Sequence, residues 1–191
     1  MKFTFNQAEI TDAKQIAELM LFAMDKIVFD FIGDNNQDKA MSFLISLVEQ
    51  EDNQYSYQNI TVIKNDHNQI VGMFNIYDGA LLNQLRKPVL KILKDNYNQI
   101  ITPQDETEAG EYYIDTIAIY PKYRGLGIGQ LILDYIILEY AEKQNKTIGL
   151  LVDFTNPKAK KLYTNKGFIK VGEKQLMNEN HEHLQYKKGS Y

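Results

Sequence analysis

The chain predicts an α/β or α+β fold, with one mixed sheet carrying helices on its faces, and three observations predict it. Apolar residues switch repeatedly between a spacing of two and a spacing of three and four along the 191 residues. No tract rich in Gly, Pro or Ser divides the chain, and it has neither an internal repeat nor a low-complexity segment. The length suits one core, so 1–191 reads as a single domain.

The elements follow in order. "FTFNQAEI" alternates enough for a first strand. Thr11 stands where an N-cap belongs, ahead of Ala13, Ile16, Ala17, Met20, Met24, Ile27, Val28 and Phe31 at helical spacing, and Gly33 ends that helix. A second helix is expected over about 37–50, burying Met41, Leu44, Leu47 and Val48. After the polar break "EQEDNQYSYQ" come the strands "NITVIKN" and "QIVGMFNIYD", joined by a turn at Asp66 to Asn68. "ALLNQLRKPVLKILKDNYNQI" is helical, with Pro88 either starting a second segment or kinking one. The strand "EYYIDTIAI" then leads through a glycine turn to a helix over about 127–144. "TIGLLVDF" is a buried strand, Pro157 suits the first turn of a further helix ending near 165–167, and "FIKVGEK" and "EHLQYKK" are the last strands.

Composition narrows the chemistry. Cysteine is absent, which removes disulfides, thiolate metal sites and a cysteine nucleophile. No leader-like start and no apolar run of about 18 residues is found, so the expectation is a cytoplasmic protein without a membrane partner. Residues 1–110 hold 9 basic and 16 acidic side chains, residues 111–191 hold 12 and 9. The C-terminal part therefore suits an anionic ligand and the N-terminal part a cationic one, and no basic stripe fits a nucleic acid. His67, His181 and His183 lack a clear carboxylate third ligand, so they read as surface residues and no metal is expected.

The most informative stretch is "IAIYPKYRGLGIGQLIL". A strand runs into Pro121, Arg124 and the alternating glycines Gly125, Gly127 and Gly129, then into an amphipathic helix. Bare glycine amides and the unpaired donors of a helix N-terminus make an anion site, usually for phosphate. A nucleotide triphosphate loop needs Lys-Ser/Thr after its last glycine, and here Gln130 and Leu131 follow. A dinucleotide fingerprint needs a third glycine where Gln130 stands.

What remains, Arg-x-x-Gly-x-Gly after a strand, resembles the GNAT superfamily of acetyl-CoA-dependent N-acetyltransferases. "IAIYPKYRGLGIG" is similar to that family's strand and pyrophosphate loop throughout, and "FTNPKAKKLYTNKGF" to its second segment. The resemblance implies a mostly antiparallel sheet of about six to seven strands. It implies acetyl-CoA as acyl donor, held by the strand edge Ile117, Ala118 and Ile119 and by the loop Arg124, Gly125, Leu126, Gly127, Ile128, Gly129 and Gln130, with Arg124 orienting loop or phosphates.

By the same resemblance a backbone N–H near Ile119 polarises the thioester, Asn156 bonds the coenzyme arm, and Tyr163 protonates the leaving sulfur. Asn156 also fits a helix N-cap, and Tyr163 a core edge of its short helix. Glu111, Tyr113 and Asp115 share one strand face, so Asp115 or Glu111 is the candidate base, with water as the other possibility. The implied reaction is direct attack by a primary amine, on a small molecule, a peptide N-terminus or a lysine, and the enzyme is expected as a monomer or homodimer. The alternative is a catalytically silent coenzyme-A-binding sensor. One departure from the family is the helical stretch at about 80–110, longer than the usual hairpin, which is expected to shape the acceptor pocket together with the turn at 33–37. Asp30, Asp34 and Asp38 near that turn favour a cationic amine.

Overall fold

The computed structural model describes residues 2–176 and 179–189. Its strands are β1 Thr4–Gln7, β2 Ile60–Lys64, β3 Ile70–Asp78, β4 Tyr112–Ile119, β5 Ile148–Asp153, β6 Ile169–Leu176 and β7 Glu179–Tyr186. Its helices are α1 Ala13–Ile32, α2 Gln37–Val48, α3 Leu82–Tyr97, α4 Ile128–Ile136 and α5 Pro157–Asn165. The strands form one seven-stranded sheet in the order β1-β2-β3-β4-β5-β7-β6. The pairs β1–β2, β2–β3, β5–β7 and β6–β7 are antiparallel and β4–β5 is parallel, so the expected mixed, mostly antiparallel sheet is present. Among the described residues, no helix is long and apolar enough to cross a membrane.

By its internal contacts the chain divides into two compact units. The first comprises residues up to Asn75, Asn83–Thr102 and Thr116–Leu126. Here α1 packs on α2, burying Ile16, Leu19 and Met20 of one and Phe43, Leu44 and Leu47 of the other. Each such side chain contributes about 1.5–3 kcal/mol by leaving water. The cap expected at Thr11 falls one residue later: Ile10–Asp12 is a 3₁₀ turn closed by Glu9 and Asp12, and Asp12 leads into α1. Gly33, at φ 63°, ends α1 as expected. The helix is kinked at Met24 (φ −129°, ψ 18°), whose sulfur accepts from the Thr116 hydroxyl at 3.4 Å.

Asn36 caps α2 by accepting from the Lys39 N–H at 3.0 Å. Met41, expected in the core, is half-buried, and Phe43 takes the interior place. The polar break after α2 is not a solvated loop. Asn53 is fully buried, donates to the carbonyls of Leu47 (2.9 Å) and Gln50 (3.0 Å), and accepts from the Tyr55 N–H. Its side chain satisfies backbone groups that burial would otherwise strand. α3 runs unbroken through Pro88, because Leu82, Leu85, Val89 and Leu93 bury one continuous face on either side of it.

The second unit comprises Ile76–Leu82, Pro103–Asp115 and the chain from Gly127 onward. Ile132, Leu133 and Ile136 of α4 are buried with Ile148, Leu150, Phe168 and Leu184. The helix expected to reach residue 144 changes character at Ile137, continuing as a π-helical turn to Glu142 that brings Tyr140 within 5.5 Å of the Tyr112 ring. β5 pairs with β7 along its whole length, but its ladder with β4 covers only Tyr112–Ile114 against Ile148–Leu150.

Candidate active site

The glycine turn forms by a sequence of local choices. Pro121–Tyr123 makes a 3₁₀ turn after β4, Arg124 is extended, and Gly125 and Gly127 take φ values of 80° and 79° that a side chain would resist. Gly127 is also the N-cap of α4. A Cβ at Gly125 or Gly127 would meet nothing within 4 Å, so these residues are required by backbone conformation and their outer face is open. The next amides along, Gln130 and Leu131, bond back to the Gly127 carbonyl. Among the described residues, the N–H groups of Gly125, Leu126, Gly127, Ile128 and Gly129 have no acceptor. Five successive bare donors at the positive end of a helix are a donor set of the kind that suits an anion. Arg124 is exposed and its Nε donates to the Ile119 carbonyl at 3.1 Å, tying the loop to the end of its strand.

In the second unit, Tyr163 lies on α5 with its ring 6.1 Å from Phe168. The residue keeps some exposed surface, yet the protein packed around its phenol pushes the pKa up to about 12. Its hydroxyl has no hydrogen-bond partner among the described residues. Asn156 is the α5 N-cap, its Oδ1 accepting from the Ala159 N–H at 3.1 Å, which leaves its amide donors unpaired among the described residues.

The two candidate bases have different surroundings. Asp115 is half-buried and accepts from the Tyr77 hydroxyl at 3.3 Å, which also faces the buried Glu106 at 3.2 Å. Glu111 is buried and holds three partners: Thr107 at 2.7 Å, Gln185 at 2.7 Å and His183 Nε2 at 2.8 Å. Burial alone would raise its pKa, but the hydrogen bonds from His183, Thr107 and Gln185 outweigh this and lower it. His183, expected at the surface, is therefore an interior residue, because β7 lies beside β5 and its side chain reaches Glu111. No periodicity signals this pairing, which joins residues 72 apart. Tyr77 and Glu106 were equally silent in the sequence.

The first unit contains a groove of about 540 Å³ lined by α1, α2 and Tyr120. Tyr120 donates to Glu18 Oε2 at 2.9 Å, and burial together with that carboxylate raises its pKa. Of the three acids near the turn between α1 and α2, Asp38 lines the groove, Asp30 does not, and Asp34 is paired with Lys39 at 2.5 Å. α3 does not line this groove. It backs α2 instead, through the Tyr97 ring on Phe43 at 5.5 Å.

The sequence profile of the Acetyltransferase (GNAT) family matches residues 29–168. The chain belongs to the GNAT acetyltransferase family. It is thus an enzyme of a family that uses acetyl-CoA. Solved structures agree on the fold. A protein described as an acetyltransferase superimposes with a TM-score of 0.79 at 26% identity, covering 96% of this chain and 98% of its own. An N-acetyltransferase from Staphylococcus aureus Mu50 gives 0.80 at 24% identity, covering 96% and 100%. A spermidine N-acetyltransferase from Vibrio cholerae, solved with CoA and spermine, gives 0.61 at 13% identity, covering 99% and 97%. No curated protein matches in a sequence search. The GNAT motifs read from the sequence, the glycine turn and the Asn156–Phe168 segment, lie within the matched span.

Proposed function

We propose that this GNAT enzyme transfers the acetyl group of acetyl-CoA directly to a primary amine, with the loop 124–130 as the seat of the coenzyme pyrophosphate. The observation that carries the proposal is the run of five bare amides from Gly125 to Gly129, a donor set suited to a diphosphate. Ile117, Ala118 and Ile119 offer backbone groups to the pantetheine amides, and the free amide donors of Asn156 offer a further hydrogen bond to the same arm.

The chemistry then needs a neutral amine, a polarised carbonyl and a proton for the thiolate. The amine nitrogen attacks the thioester carbon, the C–N bond forms, and the C–S bond breaks. An N–H near Ile119 stabilises the oxyanion. Tyr163, protonated because burial holds its pKa near 12, gives its proton to the sulfur. Of the two carboxylates, Asp115 suits the base better, directly or through water, since Glu111 already accepts three hydrogen bonds in the interior. Both the family and its named neighbours are transferases, so the silent-sensor alternative has no observation in its favour.

Thermal unfolding with and without acetyl-CoA tests the proposal. Saturation at about a hundred times Kd adds roughly 2.7 kcal/mol, a rise of about 5–10 °C at this size. Arg124→Ala with Gly127→Ala should abolish the rise. A chain that shows no shift at high acetyl-CoA, and no thiol release with any amine, would remove the coenzyme from this loop.

A further inference from the structure

We propose that the groove between α1 and α2 holds a second, non-reacting ammonium group of the acceptor, so that the substrate class is a di- or polyamine; this rests on the acetyltransferase reading above. The groove, at about 540 Å³, has the volume of a small-molecule site. Its apolar lining comes from Met41 and Ile45, which suit methylene groups. Phe22 and Tyr120 supply two rings at 6.1 Å in an edge-to-face pair, and Phe22 is 52% exposed, an aromatic left open to solvent beside carboxylates. Glu18 and Asp38 supply those carboxylates. Apart from the Tyr120 hydroxyl on Glu18, neither has a partner among the described residues. Lys14 also lines the groove, leaving two carboxylates against one ammonium. Aromatic faces, unpaired carboxylates and an apolar lining together recognise a cation on an aliphatic chain.

The reacting nitrogen is a poor occupant for this place. It must shed its proton to attack, and a neighbouring carboxylate holds an amine protonated. The charge in the groove is therefore one that persists through the reaction. Tyr120, which lines the groove, directly follows the last residue of β4 and lies four residues before Arg124.

The test is thiol release at saturating acetyl-CoA with two probes of equal length, 1,5-diaminopentane and pentylamine. The diamine should show a KM at least tenfold lower. Glu18→Gln combined with Asp38→Asn should raise the diamine KM about tenfold, keep its kcat within threefold and leave pentylamine unmoved. Should the Glu18 change impair folding, Asp38→Asn alone, at an exposed position, should still shift the diamine KM by twofold or more. Equal KM values for the two probes, or an unchanged diamine KM in the variants, would overturn the proposal. Transfer to neither probe would overturn it too, while a wild-type thermal shift with acetyl-CoA would leave the coenzyme reading standing.

Discussion

Tyr163 carries a phenol without a hydrogen-bond partner among the described residues, raised to about 12 by its surroundings. A group whose pKa is raised keeps its proton at every pH below that value, so as a proton donor it stays competent through the whole range in which enzymes are assayed. The expected kcat/KM profile rises with pH as the amine loses its proton and shows no falling limb up to pH 10. A falling limb between pH 8 and 9 that disappears in Tyr163→Phe would contradict this. Tyr163→Phe itself should lower kcat on the order of 10²–10⁴-fold if protonation of the thiolate limits the rate, with the acid side of the profile unchanged.

At the scale of elements, the short parallel ladder between β4 and β5 depends on one missing side chain. A Cβ at Gly149 would lie 1.9 Å from Glu111 Oε2 and 2.2 Å from its carboxyl carbon. An exposed carboxylate could swing away, but this one is buried and held by three donors. Gly149→Ala should therefore cost about 1–3 kcal/mol by overpacking, seen as a fall of roughly 2–12 °C in Tm. Glu111→Asp in the same chain, one methylene shorter, should recover part of that loss; equal stability of Gly149→Ala and wild type would show that the carboxylate yields freely. The helices were legible because three-four spacing reports which face an element buries, as Ile128, Ile132, Leu133 and Ile136 of α4 show, while β2 and β3, buried on both faces, were legible as short apolar runs between turns. The glycine turn was legible because the positive φ of Gly125 and Gly127 favours glycine at fixed spacing. What spacing could not reveal is partnership across strands. Glu111 reads as one more carboxylate on a strand face until β7 brings His183 and Gln185 to it, and Glu18 reads as a helix surface residue until Tyr120 reaches it. The kink at Met24 and the π-helical turn at Ile137 carry no Pro or Gly to announce them.

For the molecule as a whole, the lowered carboxylates set the acid limit. Glu111 is lowered by its hydrogen bonds against the effect of burial, and Asp153 chiefly by the Thr155 N–H. A carboxylate with a depressed folded pKa adds stability above its unfolded pKa and loses it as pH falls through the folded value. Tm should thus be flat above about pH 6 and fall through the region below about pH 4.5. Glu111→Gln should flatten that acid fall while lowering stability at neutral pH by about 1–3 kcal/mol, since it leaves buried donors mismatched. Unchanged Tm curves from pH 3 to 8 would show that the pairing contributes nothing. The run of amides from Gly125 to Gly129 behaves in the opposite way. Peptide nitrogens do not titrate, so a diphosphate seated there is gripped equally at pH 7 and pH 9. Between pH 7 and pH 9 capture of the donor would be indifferent to acidity while turnover is not, and the dependence in that window would belong to the amine.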